Sequence, residues 1–224
     1  MAIVPALALD HDLGGRLYVG HNWNQGTWFT ESVSWEGRLH YWGFGTQLGL
    51  RETIGRGTAF HGLQAHGMYL RSFEGLHAQH QLKIVGSYNY SPYELSKLHE
   101  HIWALYAQYG YPHIQVSLGY QIRYLHSNGG STSHAEFNNC LYSIEAYVWD
   151  KSKVRYNLYF ELHNFEPLWV EHTATPMFTV KAQYRQREPA IDYQLQLTFV
   201  PAGVGNIVFN HYGWRTAICV NWHF

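Results

Sequence analysis

Apolar and polar residues alternate with a period of two along most of the chain. In the segment VRYNLYFELH, residues 154–163, every second side chain is apolar or aromatic, and most of those between are polar. The segments IQVSLGYQIRY, residues 114–124, and YQLQLTF, residues 193–199, repeat this pattern. Successive side chains of a strand point to opposite faces, so the alternation predicts strands with one face in an apolar medium and the other in a polar one. Helical spacing does not persist, and we expect an all-β protein.

The alternating runs predict about twelve strands, many of them near the ~10 residues that a tilted strand needs to cross a bilayer. The earliest strands are the least regular, because Glu31 falls on the apolar face of its strand. The predicted strands span residues 15–24, 27–35, 38–51, 59–72, 76–90, 98–110, 113–126, 138–149, 153–164, 176–186, 192–200 and 212–224.

The connections between these strands alternate between short and long. Tight turns are predicted at Glu36-Gly37, Glu74-Gly75, Tyr111-Pro112, Asp150-Lys151 and Glu188-Pro189. Longer polar loops are predicted at residues 52–58, 91–97, 127–137, 164–175 and 201–211. The first link, at Gln25-Gly26, is short as well. This asymmetry is typical of membrane barrels, which have short periplasmic turns and longer extracellular loops.

A soluble antiparallel sandwich is the alternative, since it also shows alternating strands and frequent turns. Its strands usually have about 5–6 residues, and the runs in this chain are about twice as long. The second face carries mainly Gln, Asn, Ser and Tyr, and charged residues make up only 14% of the chain. An average soluble domain has about 25%, and a surface in open water normally needs that charge. The composition therefore favours a polar lumen.

These patterns predict one closed antiparallel transmembrane β-barrel over residues 1–224, with about twelve strands. We expect residues 1–14 to form an N-terminal extension that lies in the periplasm or plugs the barrel. An even number of strands puts both ends of the barrel wall on the short-turn side. No run of the sequence approaches the ~18 consecutive apolar residues of a membrane-spanning helix.

The last predicted strand lies in the segment HYGWRTAICVNWHF, residues 211–224, which is apolar on one face and ends on an aromatic residue. It resembles the closing strand of bacterial outer-membrane β-barrels. With the alternation and the loop asymmetry, the resemblance covers nearly the whole chain. It implies a Gram-negative outer membrane, with the lipid bilayer and lipopolysaccharide as surroundings, and it implies that Trp222 and Phe224 form a signal for the barrel-assembly machinery. No finer signature indicates a subfamily.

The polar face predicts a lumen lining in which cations outnumber carboxylates. Rings of Arg and Lys select anions, so the lining favours a narrow porin-like channel for small, preferably anionic solutes. The alternative is a filled barrel with paired charges, acting as an outer-membrane lipid hydrolase or as an anchor or adhesin that binds through its loops. About eight strands leave a filled interior and about sixteen a wide channel, so both remain open. The predicted lumen-lining residues are Arg51, Lys83, Arg123, Glu145, Arg155, Glu161, Lys181, Arg185 and Arg215.

The histidines do not predict a metal site or a catalytic pair. His126 and Ser127 are adjacent, and adjacent residues of a strand face opposite ways, unlike the Ser and His spaced two apart in barrel hydrolases of lipid A. His99 and His101 share one face at a strand end. Several histidines lie near the predicted long loops without metal-ligand spacing: His126, His134, His163, His172 and His211.

The net charge and the cysteine content limit the kinds of partner that we expect. The net charge of −1 gives no basic footprint for nucleic acid. Cys140 and Cys219 have neither metal nor redox spacing, although a single disulfide between them is compatible with the sequence. The sequence predicts no cofactor, and small solutes are the expected ligands.

Overall fold

The computed structural model describes residues 10–22, 26–53, 57–75, 79–93, 98–127, 135–150, 154–164, 176–200 and 213–223. These residues form twelve strands, each paired antiparallel with its neighbour in the chain, and the last strand pairs with the first to close a barrel. The predicted fold class and strand number are confirmed. The strands are β1 (Asp10–Asn22), β2 (Gly26–Leu39), β3 (Trp42–Thr53), β4 (Gly57–Glu74), β5 (Gln79–Tyr93), β6 (Leu98–Tyr111), β7 (Ile114–Ser127), β8 (Ala135–Tyr147), β9 (Tyr156–His163), β10 (Met177–Gln186), β11 (Ile191–Val200) and β12 (Gly213–His223).

The outer face of the barrel is apolar and the inner face mostly polar, as the alternation predicts. On β11, Leu195 is 53% exposed, whereas its neighbour Gln196 is 5% exposed and points inward. A soluble protein rarely leaves so large a continuous apolar surface uncovered. Apolar residues of the alternating runs lie on this outer face, among them Leu158, Phe160, Leu195, Leu197, Ile218 and Val220. Among the described residues, none forms a helix long and apolar enough to cross a membrane.

Part of the inner face is apolar as well. Met68 on β4, Val85 on β5, Tyr106 on β6 and Leu141 on β8 form a buried cluster inside the wall. Most of the inward charged side chains that the structure describes lie from β8 through the closing seam to β3, which we call the charged side. The inner face of β5 to β7 also carries charges, namely Lys83 and the ion pair of Glu100 with Arg123.

The links at one end of the barrel are mostly shorter than those at the other, and β1 begins and β12 ends at the short-turn end, as expected. Short-end links comprise residues 40–41, 75–78, 112–113, 148–155 and 187–190, and the opposite links comprise residues 23–25, 54–56, 94–97, 128–134, 164–176 and 201–212. The long loop predicted at residues 52–58 is wrong, because β3 and β4 extend the wall to leave only residues 54–56. β1 begins at Asp10, so part of the predicted N-terminal extension belongs to the wall.

The turn predicted at Glu36-Gly37 is also wrong, because these residues lie within β2. The turn follows at His40-Tyr41, where His40 has a φ of 56°. Glu36 points into the barrel and finds cationic partners there, so its charge does not require a solvent-exposed turn. Gly37 is buried, and a side-chain carbon at this position would lie 2.8 Å from the Trp35 ring. A close approach of an aromatic ring therefore explains the glycine.

Candidate functional site in the barrel interior

A cluster of three charged residues from three neighbouring strands lies on the charged side of the interior. The Nζ atom of Lys181 on β10 is 2.7 Å from Glu161 Oε2 on β9 and 3.9 Å from Glu145 Oε1 on β8. The same Nζ atom lies 5.2 Å from the centre of the Tyr159 ring. The three predicted lumen residues are thus brought together, and one cation is shared by two carboxylates.

Hydrogen bonds and stacking hold this cluster in place. Gln115 Nε2 donates to Glu145 Oε2 over 3.0 Å, and the hydroxyl of Tyr147 donates to the same oxygen. The Tyr147 and Tyr159 rings stack with their centres 4.8 Å apart. The amide of Gln194 donates to the Tyr159 hydroxyl. Because each carboxylate is bonded on more than one side, its position in the wall is fixed.

A second group of cations lies against aromatic rings near the closing seam. The Arg215 guanidinium on β12 is 5.6 Å from the centre of the Tyr18 ring on β1, and Arg16 Nη1 donates to the Tyr18 hydroxyl over 3.0 Å. On the neighbouring strands, the Arg51 guanidinium is 5.1 Å from the centre of the Trp28 ring. Cation–π contacts of this kind orient an arginine side chain. The rings therefore hold Arg215 and Arg51 in defined positions on the inner wall.

The Lys181 cluster and the arginines near the closing seam lie close enough to interact electrostatically. The charge of Arg215 influences the Glu161 carboxylate, and the charge of Arg16 influences the Tyr159 hydroxyl. Strands β9 to β12 and β1 are consecutive around the barrel. A solute in this part of the interior would therefore meet Lys181, Arg215 and Arg16 in turn.

Arg123, a further predicted residue, forms an ion pair with Glu100 on the neighbouring strand β6. Glu100 is only 3% exposed. The sequence analysis missed this carboxylate because the face of β6 that carries it is otherwise apolar. Arg123 is thus one of the cations whose charge is balanced inside the wall.

The short-turn end of the barrel carries a charge network that was not predicted. Arg38 pairs with Asp12 and with Glu36, whose Oε1 is 3.4 Å from the Arg38 Nε. His223 Nδ1 is 2.6 Å from Asp12 Oδ1, and its Nε2 is 3.4 Å from Asp192 Oδ2. This network connects β1, β2, β11 and β12. Alternation would have found Glu36 and Arg38 had the turn not been assigned there.

The other predicted site residues lie in different surroundings. Lys83 is on the inner face of β5, where the Glu36 carboxylate acts on it electrostatically. Arg155 lies just before β9 and is exposed at the short-turn end. Arg185 pairs with Asp192 over 3.1 Å, and its side chain is half exposed. Trp222 lies on the outer face, 51% exposed. Phe224 lies outside the described residues.

The structure gives no support for a metal site among the described residues. They contain no group of three or more His, Cys, Asp or Glu side chains placed to hold a metal ion. His163 is fully buried, and its Nε2 lies 2.9 Å from Thr179 Oγ1. His126 is on the outer face with other aromatic rings. His134, His172 and His211 lie outside the described residues.

Comparison with known proteins identifies the architecture. The chain has the fold of outer-membrane porin barrels. The KdgM porin aligns over 95% of this chain and 99% of its own length, with a TM-score of 0.54 and 10% identity. KdgM in complex with disordered oligogalacturonate gives a TM-score of 0.57 and 11% identity over the same shares of the two chains. The NanC porin aligns over 93% of this chain and 98% of its own, with a TM-score of 0.54 and 11% identity. No protein-family model matches the chain, and no curated protein matches its sequence.

Proposed function

We propose that the protein is an integral channel of a bacterial outer membrane that passes small anionic solutes. The observation that carries this proposal is the position of Arg215 and Arg16 beside the Tyr18 ring on the inner wall near the closing seam. Cations on a pore wall lower the barrier for anions to enter. The apolar outer face suits a bilayer, which would cover it completely.

The size of the barrel supports a narrow channel rather than a wide one. Twelve strands lie between the eight of filled barrels and the sixteen of wide porins. The KdgM porin, whose fold is similar, is known in complex with oligogalacturonate. An acidic oligosaccharide is therefore the first solute to test, and phosphates and acidic amino acids suit the same lining.

Planar-bilayer conductance tests this proposal. The purified barrel should give discrete current steps with a reversal potential that favours chloride. Selectivity should decrease as ionic strength rises, because salt screens charges over ~10 Å at about 0.1 M. The double variant Arg16→Gln/Arg215→Gln should lose most of the anion preference. Arg71→Gln, which removes a charge from the outer face of β4, is the matched control and should keep it. Cation selectivity in the unchanged protein would refute the proposal.

A filled barrel is the second candidate, and the burial of several inner side chains favours it. Gln47, Gln121 and Thr198 are 2% exposed or less. A barrel that is folded by circular dichroism but gives no conductance would then act as an anchor or as an outer-membrane enzyme. Hydrolysis of lipid A or phospholipid by the folded protein would separate these two functions.

The proposal also covers the assembly of the protein and its location in the outer membrane. Insertion would depend on the barrel-assembly machinery, with Trp222 and Phe224 in the recognition signal. The mature barrel would lie in the bilayer with lipopolysaccharide around its outer, long-loop half. Neither a nucleic acid nor a cofactor has a role in this function.

A further inference from the structure

Three histidines from two neighbouring strands stack on the outer face of the barrel, near the long-loop end. The ring centres of His99 on β6 and His126 on β7 are 5.1 Å apart, with 20° between the ring planes. His101 lies one step further along β6, with its ring centre 5.2 Å from that of His126 and 17° between the planes. Such a column of imidazoles is unusual on a surface that is otherwise apolar.

Two tyrosines of β5 orient these rings. The hydroxyl of Tyr90 is 2.7 Å from His99 Nδ1, and the hydroxyl of Tyr88 is 2.8 Å from His101 Nδ1. The tyrosines thus fix both rings through one nitrogen. His126 differs, because its Nδ1 atom is shielded from solvent and has no hydrogen-bond partner among the described residues. A buried polar nitrogen without a partner is costly.

An apolar groove runs directly below the histidines. It has a volume of about 720 Å³ and lies on the outer surface of β3 to β7. Its floor contains Gly67 and Gly86, and a side-chain carbon added at Gly86 would meet nothing within 4 Å. Tyr88 and Trp103 belong both to the groove and to the ring cluster above it. The groove walls include Phe44, Tyr88, Trp103, Leu105, Tyr120 and Ile122.

The imidazoles of this cluster differ from other histidines of the outer face because they contact one another. At the short-turn end, His80 lies beside Phe73 and Tyr109, and His11 lies beside Trp35, each as a single imidazole among the described aromatic rings. A metal ion does not account for this cluster. The ring planes are nearly parallel, so the in-plane nitrogen lone pairs of stacked rings do not converge on one point, as a metal at about 2.0 Å requires.

We propose that this surface binds one lipid A molecule of the outer leaflet, with a phosphate on the cluster of His99, His101 and His126 and an acyl chain in the groove below. The inference rests on the proposed outer-membrane location, in which the long loops face outward and the cluster lies at the depth of the outer-leaflet headgroups. Imidazole N–H groups donate to phosphate oxygens when neutral and add positive charge when protonated.

The charges around the cluster allow an anion to approach. Among the described residues, the rings that face the histidines are those of Tyr88 and Tyr90 on β5, Trp103 on β6 and Tyr124 on β7. The carboxylate nearest in sequence, Glu100, points to the opposite face and pairs there with Arg123. The outer surface at this point therefore offers donors to a phosphate.

Native mass spectrometry of the full barrel, with lipid A added to the detergent, tests this inference. We expect one lipid A per barrel, and at least tenfold weaker binding of lipid A from which the phosphates have been removed. Phosphatidylglycerol, which also carries a phosphate and acyl chains, is the competing ligand. Equal binding of lipid A with and without its phosphates would overturn the proposal, and so would tighter binding of phosphatidylglycerol or a barrel that self-associates through this face instead of taking up lipid.

Variants separate the two halves of the site. His101→Gln/His126→Gln should weaken lipid A binding at least tenfold, and Gly86→Leu, whose Cβ would meet nothing within 4 Å and whose side chain would enter the groove, should do so independently. His80→Gln is the matched control, because His80 lies on the outer face of β5 at the opposite end and also contacts a tyrosine, Tyr109. An equal loss in the control would overturn the assignment. Conductance measurements on the same three variants distinguish this inference from the channel proposal. None of the three variants changes a residue of the lumen, so their conductance should not change.

Discussion

Lys181 reaches diagonally from β10 to β9 and places its ammonium 2.7 Å from the Glu161 carboxylate, and both side chains are largely buried, 15% and 6% exposed. Removing one member of such a pair leaves a buried charge uncompensated, which costs about 3–5 kcal/mol. We therefore expect Lys181→Met to destabilise the barrel by about 3 kcal/mol in urea unfolding followed by tryptophan fluorescence. The double variant Lys181→Met/Glu161→Gln should recover much of that loss. A double variant whose destabilisation equals the sum for the single variants Lys181→Met and Glu161→Gln would show that the pair contributes nothing.

Substitutions on the two faces of the wall should differ in their effect. Leu195→Arg puts a charge on the lipid face near the middle of β11 and should cost about 2–4 kcal/mol in unfolding from lipid vesicles. Gln183→Arg is the control, because Gln183 points inward and lies 3.2 Å from Asp192, which can pair with an arginine. Its cost should be below about 1 kcal/mol. Similar costs at the two positions would mean that the faces are assigned incorrectly.

Glu31 is the exception on the outer face. It lies within β2 between Leu17 and Leu50 of the adjoining strands and is exposed outward. A carboxylate facing lipid is unfavourable, although less so than an arginine. Glu31→Leu should therefore stabilise the barrel by about 1–2 kcal/mol in vesicles. The same substitution in a detergent that admits water to the surface should have little effect. Destabilisation in vesicles would instead indicate that this carboxylate has a partner in the membrane.

Maleimide labelling of the two free cysteines should show which side chains of the barrel wall are accessible from water. Cys219 is completely buried on the inner face beside Tyr18, whereas Cys140 is exposed on the outer face of β8. A membrane-impermeant maleimide should label neither thiol in vesicles, and both after unfolding. Gln183→Cys should be labelled if water fills the lumen. Rapid labelling of Cys219 in the folded barrel would contradict its packing under Tyr18.

The terminal aromatic residue should affect assembly rather than stability. Phe224→Ala should slow insertion by reconstituted barrel-assembly machinery at least several-fold, while the free energy of unfolding changes little. Tyr156→Ala, which removes an exposed outer aromatic ring at the same end of the barrel, is the control and should insert at the normal rate. Unchanged insertion of the Phe224 variant would exclude it from the assembly signal.

The sequence predicted the strands of the barrel wall well, because apolar and polar residues alternate according to whether each side chain contacts lipid or the lumen. It failed where a side chain found its partner across strands. Glu36 was assigned to a turn because a charge beside glycine is typical of one, and only the register shows it meeting Arg38 and His66 inside. Glu100 was missed because Ile102 and Tyr106 make the inner face of β6 as apolar as the outer one.

Prediction of the site residues was limited in the same way, because their contacts also lie across strands. Parity along a strand assigned Glu145, Glu161 and Lys181 to one face, but it could not show that they form a single cluster. Arg16 was not selected, because β1 begins with irregular alternation, and its role depends on Tyr18. The histidine cluster on the outer face requires the pairing of β6 with β7, which brings His99 opposite His126.

The seam between β1 and β12 determines the order in which the barrel can form. Every other pairing joins consecutive strands, whereas the contact of Asp12 with His223 spans 211 residues of chain. Hairpins can add to one another locally, and the entropy of bringing distant ends together rises only with the logarithm of the intervening length. Closure is then a late step, preceded by a curved sheet with two unpaired edges. Such edges pair readily with other chains, and the contact of Asp12 with His223 stabilises the closed barrel, in which these two edges are paired with each other.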